Sequence, residues 1–198
     1  GIQLGDVVEE LTPAVTLEGA DKVNADTEFT MTLGIQDASN VYAQDMVLSY
    51  DKDLFELFEI KGIGNTQVVD SNQVSEGVVR ILAMTENGAT ERQELLALNF
   101  KAKDRTETRA GQIAVDQIIL GQVDNHQSTT SAAIAINKIV EVKGKPVIIE
   151  TPDDVNQDGQ VDVADLALIA YYYQAKRGDT NWEEAKSADV NQDGKVNI

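Results

Sequence analysis

Residues 154–165 read DVNQDGQVDVAD, and the last ten residues, from Asp189, repeat the opening as DVNQDGKVNI. Four of the first twelve positions are Asp (Asp154, Asp158, Asp162 and Asp165), with Asn156 and Gly159 between them. Carboxylates packed this densely repel one another and resist ionising together unless a positive charge sits among them. Whatever this segment folds into must gather these oxygens around a cation or spread them into solvent. The whole chain leans the same way. Its 198 residues carry a formal net charge of -18, so phosphate backbones are repelled at long range. Nucleic acid is therefore not an expected partner, and a cation is; part of the charge serves solubility.

The spacing decides between the two fates. A twelve-residue calcium loop presents oxygen at positions 1, 3, 5, 7, 9 and 12, with glycine at 6 for the sharp turn. With Asp154 at position 1, the ligand positions fall on Asn156, Asp158, the Gln160 carbonyl, Asp162 and Asp165, and Gly159 takes the turn. Asp165 replaces the Glu usual at position 12. Val161, at position 8, is expected to pack this loop against its twin. The second copy offers Asp189, Asn191, Asp193, the Lys195 carbonyl and Asn197, but its twelfth position falls beyond Ile198. One well-formed Ca2+ site and a second, incomplete and more open one are expected, in a segment poorly ordered without metal.

Each loop belongs to a larger unit. VADLALIAYYYQAK (163–176) has helical spacing, with Leu166, Ile169, Ala170 and Tyr173 at i, i+3, i+4 and i+7. Leu168, Tyr171 and Tyr172 lie on other sides, so this helix is apolar over much of its circumference. DTNWEEAK (179–186) reads as a short helix with Thr180 as N-cap, Glu183 completing a capping box and Trp182 in the core. No helix precedes the first loop, where VIIETPD stands. Two loop-helix halves thirty-five residues apart, sharing DVNQDG, resemble a type I dockerin over residues 153–198. The resemblance implies a small α-helical calcium-binding module whose halves are related by a pseudo-twofold axis and which binds cohesin modules. It also implies that loop positions 10 and 11 help choose the partner. Often a Ser-Thr pair in the family, here they are Val163 and Ala164, which implies a more apolar contact. Tyr171 and Tyr172 complete the candidate partner-binding set. The module is expected to be truncated, lacking its closing ligand and final helix.

Residues 11–142 follow a different pattern. TEFTMTLGI (27–35) alternates, with Phe29, Met31, Leu33 and Ile35 on one face. DMVLSY (45–50), LFELFEI (54–60), VVRILAM (78–84), LLALNFKA (95–102), GQIAVDQIIL (111–120) and AIAINKIVEV (133–142) follow, rich in Val, Ile, Phe and Thr with a period near two. Turn formers separate them at DASN (37–40), KGIGN (61–65), ENGAT (86–90) and GQVDN (121–125). Many short strands at this spacing predict a β-sandwich. The domains expected are therefore 1–145, a short linker over 146–152 punctuated by Pro146 and Pro152, and 153–198.

FTMTLGIQDASNVYAQDMVLSYDKDLFELFEI, with Asn40-Val41-Tyr42 and Tyr50-Asp51, and RILAMTENGATERQELLALNFKAK resemble successive strands of a cohesin module. The resemblance implies a mainly β chain: a nine-stranded jelly-roll sandwich that binds dockerins on one sheet face. Its partner would be a cohesin or dockerin module of another protein or of its own chain, including a homodimer that exchanges the dockerin half. The alternative is a carbohydrate-binding sandwich with a calcium-stabilised tail. Such modules present aromatic platforms. Here aromatics are 5% of residues, the one Trp and three of five Tyr lie in the dockerin-like part, and Phe29, Phe55, Phe58 and Phe100 fit strand cores.

Catalysis finds little support. The absence of Cys excludes thiol nucleophiles and disulfides. His126, the only histidine, sits in the polar loop QVDNHQSTT, and neither GxSxG nor a phosphate-binding glycine loop occurs. No apolar run approaches the roughly 18 residues that span a bilayer. Gly1 in place of Met suggests a piece of a longer polypeptide. The resemblances imply a secreted bacterial, multimodular carbohydrate-active enzyme in which this stretch performs non-catalytic attachment.

Overall fold

Alternation of inward apolar and outward polar side chains turns residues 11–142 into strands. The structure, a computed structural model, describes residues 11–146 and 154–197. Among these, nine strands form: β1 (Ala14–Glu18), β2 (Lys22–Asn24), β3 (Glu28–Tyr50), β4 (Phe55–Gly62), β5 (Thr66–Ser75), β6 (Val78–Ala102), β7 (Arg109–Asp124), β8 (Gln127–Ala132) and β9 (Ile136–Lys143). All lie in the first of two compact units, Gly1–Pro146 and Val147–Ile198.

Two strands are far longer than the sequence pattern suggests. β3 has 23 residues and β6 has 25. DASN and ENGAT, expected as turns, lie inside them as corners, with Asp37, Asn40, Asn87 and Glu91 at φ 55, 51, 64 and 56°. The β3–β6 register shifts repeatedly between Leu33 and Ala43. Bulges bend a strand and strengthen its twist, so each long strand serves both layers of a β-sandwich. The first half of β3 pairs with β1 and the second half of β6, which also carries β4. The second half of β3 pairs with β7 and the first half of β6, whose other edge carries β5. β8 and β9 follow on β7, and β2 joins β9 in parallel. KGIGN does turn the chain between β4 and β5, and GQVDN ends in an Asn125-His126 hairpin tip with both residues at positive φ. His126 is exposed there.

The core lies between the layers. Met31, Leu33 and Ile35 of β3 are fully buried, as are Met46 and Leu48 after the corner. Leu96, Leu98 and Phe100 of β6 and Ile113, Val115 and Leu120 of β7 meet them. Phe100 sits at the centre of an aromatic group, stacked on Phe29 at 5.6 Å and edge-on to Tyr50 and Phe55 at 5.4 and 6.3 Å. Phe58 departs from the expected core role. A register shift between Leu57 and Glu59 turns it outward, 47% exposed.

The second unit has a much smaller core: Val155, Ala175, Ala185, Ala188 and Val196, with Leu168, Ile169, Tyr172 and Trp182 partly buried against it. Its helices are α1 (Val163–Tyr171) and α2 (Trp182–Ala185), the latter followed by a 3-10 turn over Lys186–Ala188. α1 stops five residues short of the expected Lys176. The chain from Gln174 to Arg177 instead bonds to the second loop, through Gln174 N to Val196 O (2.9 Å), Val196 N to Ala175 O (2.8 Å) and Arg177 N to Gly194 O (2.9 Å). The N-cap of α2 is Asn181, without a side-chain bond, so Thr180 does not act as the cap. Trp182 does join the core.

Candidate calcium loops and partner-binding faces

The acidic loop wraps its own backbone around its carboxylates. Asp154 accepts from Asp158 N (3.0 Å) and Gly159 N (2.8 Å). Asn156 Oδ1 accepts from Asp158 N (2.9 Å), and Asp158 Oδ1 from Gln160 N (2.9 Å). The second loop repeats each bond. Asp189 accepts from Asp193 N (3.2 Å) and Gly194 N (2.9 Å), Asn191 from Asp193 N (3.3 Å), and Asp193 from Lys195 N (2.9 Å). The backbone conformations also match: Gln157 and Gln192 have φ of 59 and 55°, Gly159 and Gly194 of 86 and 90°. The repeated sequence thus gives a repeated hydrogen-bonded frame.

Two carboxylates shape the close of the first loop. Asp162 caps α1 by accepting from Ala164 N (2.7 Å). Asp165, 2% exposed, closes the loop by accepting from Asp162 N (2.8 Å) and Asn156 N (3.2 Å). The Asp162 N–H, helped by those of Asn156 and Val155, holds the Asp165 carboxyl below the usual carboxylate range. The described part of the second loop ends at Asn197, whose amide donates to Asp193 Oδ2 (3.2 Å) and chiefly keeps the Asp193 carboxyl low. Val161 does not pack one loop on the other: it is 42% exposed. Its counterpart Val196 is buried, in the same small core as Val155 of the first loop.

The donor set fits a hard cation. Asp154, Asn156, Asp158, Asp162, Asp165 and the Gln160 carbonyl supply oxygen alone, as do Asp189, Asn191, Asp193, Asn197 and the Lys195 carbonyl. Oxygen-only sites suit calcium rather than zinc or copper. Among the described residues no three acidic or imidazole side chains converge into a ready-made metal cluster. A loop that also draws on amides and a backbone carbonyl need not form one, and the backbone frame fixes where each donor begins.

α1 presents an apolar stripe. Val163, Leu166, Ala167, Ala170 and Tyr171 follow the i, i+3, i+4, i+7, i+8 spacing of one helix face, and all are exposed, Val163 by 77% and Tyr171 by 80%. Of the predicted partner-binding residues, Val163 and Tyr171 share this stripe. Ala164 is exposed beside it. Tyr172 is not available in the same way, because it packs partly buried on the unit's core. Leu166, Ala167 and Ala170 add exposed apolar surface beyond the predicted set, and the helical periodicity that links them to Val163 is the signal that marks them.

On the sandwich, registers define the outer face of the β5–β6–β3–β7 layer. One row runs Asn72, Arg80, Val47, Gln117; the next Asp70, Leu82, Asp45, Ile119; the third Gln67, Met84, Ala43, Gly121. Val47, Leu82, Met84 and Ile119 give it an apolar middle, Met84 being 41% and Ile119 38% exposed. A bidentate pair crosses it, Arg80 Nε to Asp45 Oδ1 (2.8 Å) and Nη2 to Oδ2 (2.6 Å). The Arg80 hydrogen bonds hold the Asp45 carboxyl below the ordinary range. Among the described residues the sandwich's exposed aromatics, Tyr42 and Phe58, stand on β3 and β4 and share no row.

Comparison with known proteins agrees with both units. The family model of the Cohesin domain matches residues 13–142, and that of the Dockerin type I domain matches residues 152–198. No curated protein matches the chain. Among solved structures, the chain is similar to the cohesin module of a family 33 glycoside hydrolase from Clostridium perfringens (23% identity, TM-score 0.60, covering 68% of this chain and 98% of that one). It is also similar to the sixth cohesin of Acetivibrio cellulolyticus scaffoldin B, solved in complex with a mutant Cel5 dockerin (12%, TM-score 0.52, 68% and 100%). A non-cellulosomal cohesin from Archaeoglobus fulgidus shares the fold as well (17%, TM-score 0.50, 65% and 91%). The chain belongs to the cohesin family, with a type I dockerin domain following its cohesin domain.

Proposed function

We propose that the chain is an attachment module of a secreted bacterial carbohydrate-active assembly, recruiting one partner through each unit. Cohesin and dockerin domains mediate calcium-dependent attachment of proteins to one another, and neither is catalytic. The dockerin half would offer the α1 stripe, with Val163, Ala164 and Tyr171 at its contact. The cohesin half would offer the outer face of β5–β6–β3–β7, where an apolar middle flanked by Asp70, Asp45 and Arg80 suits a helix of the same kind. Calcium would bind both loops. A parent glycoside hydrolase is supported by the similar Clostridium perfringens module, which comes from one. No helix among the described residues is long and apolar enough to cross a membrane.

The observation that carries this reading is the α1 stripe: a helix fixed at its first turn by the acidic loop, through Asp162 and Asp165, with its apolar face exposed. The test is calorimetric titration of the full chain against a panel of cohesin and dockerin modules, in calcium and then in chelator. Binding that appears with calcium, vanishes with chelator and returns on adding calcium back is expected. Binding indifferent to the chelator would reject the mechanism. Elution of the chain alone over a concentration series separates self-recognition from foreign partners: a concentration-dependent dimer lost on adding chelator would make the partner a second copy.

A further inference from the structure

β5 poses a problem of specification. A buried apolar face normally fixes register, because a one-residue slip turns every side chain to the other side. β5 has almost no such face. Of its ten residues only Thr66 is buried, Val68 is partly buried, and the rest are exposed, Val69 by 62% and Val74 by 65%. Two register shifts interrupt its pairing with β6, between Val68 and Asp70 and between Gln73 and Ser75. The tight Glu76-Gly77 connection sets the pairing at the C-terminal end, but a bulge can move along a strand that buries nothing. Between the shifts lie two of the three β5 residues of the outer face, Asp70 opposite Leu82 and Asn72 opposite Arg80; the third, Gln67, precedes them.

At the other end stands a buried polar group. Thr66 Oγ1 bonds Thr85 Oγ1 (3.0 Å), and Gln44 Nε2 donates to the same Thr85 oxygen (3.0 Å). These residues are 3, 2 and 1% exposed, and they come from β5, β6 and β3. Gln44 Oε1 has no protein hydrogen-bond partner among the described residues. A buried acceptor left unbonded carries a desolvation penalty, and replacing such a network by apolar groups of equal shape can be neutral or better. Net stabilisation is thus a poor reason for three polar side chains here. Direction is a better one, because hydroxyl and amide bonds are satisfied at one register only.

We propose that Gln44, Thr85 and Thr66 are positioning residues that lock the register of β5 and so decide which of its side chains enter the outer face. Thr66 is the point where the strand is held, and the first bulge is fixed two residues beyond it. That this face binds a partner rests on the function proposed above; the register lock does not.

The test compares Thr66→Val, which keeps the shape and removes the hydroxyl, with Thr66→Ser, which keeps the hydroxyl, in the full chain. Amide exchange is followed residue by residue by NMR. In T66V, amides of β5 from Val68 to Gln73 should exchange at least tenfold faster, while those of β7 and β9 stay within twofold of wild type. T66S should restore slow exchange in β5. Equal acceleration in all strands would mean that the hydroxyl serves global stability, and unchanged β5 exchange would mean that it holds nothing; either result overturns the proposal. Should T66V fail to fold, Thr85→Val with Thr85→Ser gives the same comparison from the opposite strand. Partner affinity enters neither readout, so failure of the register lock is distinguishable from failure of the binding function.

Discussion

Substituting Gly159 by Ala isolates one physical quantity in the calcium loop. Gly159 has φ 86°, and a Cβ built there meets no atom within 4 Å. No clash therefore contributes, and the whole effect is the cost of holding an L-residue in left-handed backbone, about 1–2 kcal/mol. If the metal closes the loop, that cost falls on binding, and the calcium affinity of the first site drops by roughly 5–30-fold. Gly194→Ala is the internal control. Its φ is 90°, and its nearest neighbours are Arg177 side-chain atoms at 3.7 Å, an ordinary contact, so the second site should weaken by a similar factor. Calcium titration by calorimetry, with chelator competition for the tighter site, reads both. Asn tolerates left-handed backbone better than Ala, so Gly159→Asn should fall between wild type and G159A. Unchanged calcium affinity together with unchanged thermal stability in G159A would refute the argument. So would a loss beyond a hundredfold, since that requires a clash the structure does not contain.

Leu166→Glu places a charge in the middle of the exposed α1 stripe and should abolish partner binding by calorimetry while shifting the melting temperature little, since Leu166 is 55% exposed. Phe100→Ala removes the centre of the aromatic group and should cost about 3–5 kcal/mol in denaturant unfolding of the sandwich. Asp45 provides the pH prediction. Its folded pKa lies below the unfolded value of about 3.9 because Arg80 bonds its carboxylate, so the stability it contributes is complete above that value and is lost as pH falls through the lower folded one. Denaturation midpoints of wild type and Asp45→Asn should therefore differ most near neutrality and converge in acid; a gap that widens in acid would reverse the assignment.

The hydrogen-bonded frame of the loops was legible because Asp, Asn and Gly at fixed spacing leave the backbone few alternatives: Asp154, Asn156, Asp158 and Gly159 all take part in it. Strands with one buried face were equally legible, since Met31, Leu33 and Ile35 alternate as they pack. β5 and β8 were not, because TQVVDSNQVS and QSTTSA lie at sheet margins and carry no apolar period. The corners of β3 and β6 looked like turns because Asn, Asp and Gly mark positive φ wherever it occurs, and sequence does not say whether the chain reverses or merely bends. α1 looked longer than it is because Tyr172, Tyr173 and Ala175 continue an apolar pattern. Tyr172 and Ala175 serve the small core from outside the helix, where the chain has already turned to bond Val196.

The two long strands have a mechanical consequence. In a sandwich whose layers are joined only by loops, the layers can part like the covers of a book while each stays whole. Here β3 and β6 run through the corner side by side and are bonded to each other on both sides of it. The spine of the book is woven from the same threads as its covers. Parting the layers would mean tearing ladder bonds at the corner, so a pull on one layer is carried into the other through covalent backbone. A tether attached at one point of such an object loads the whole of it.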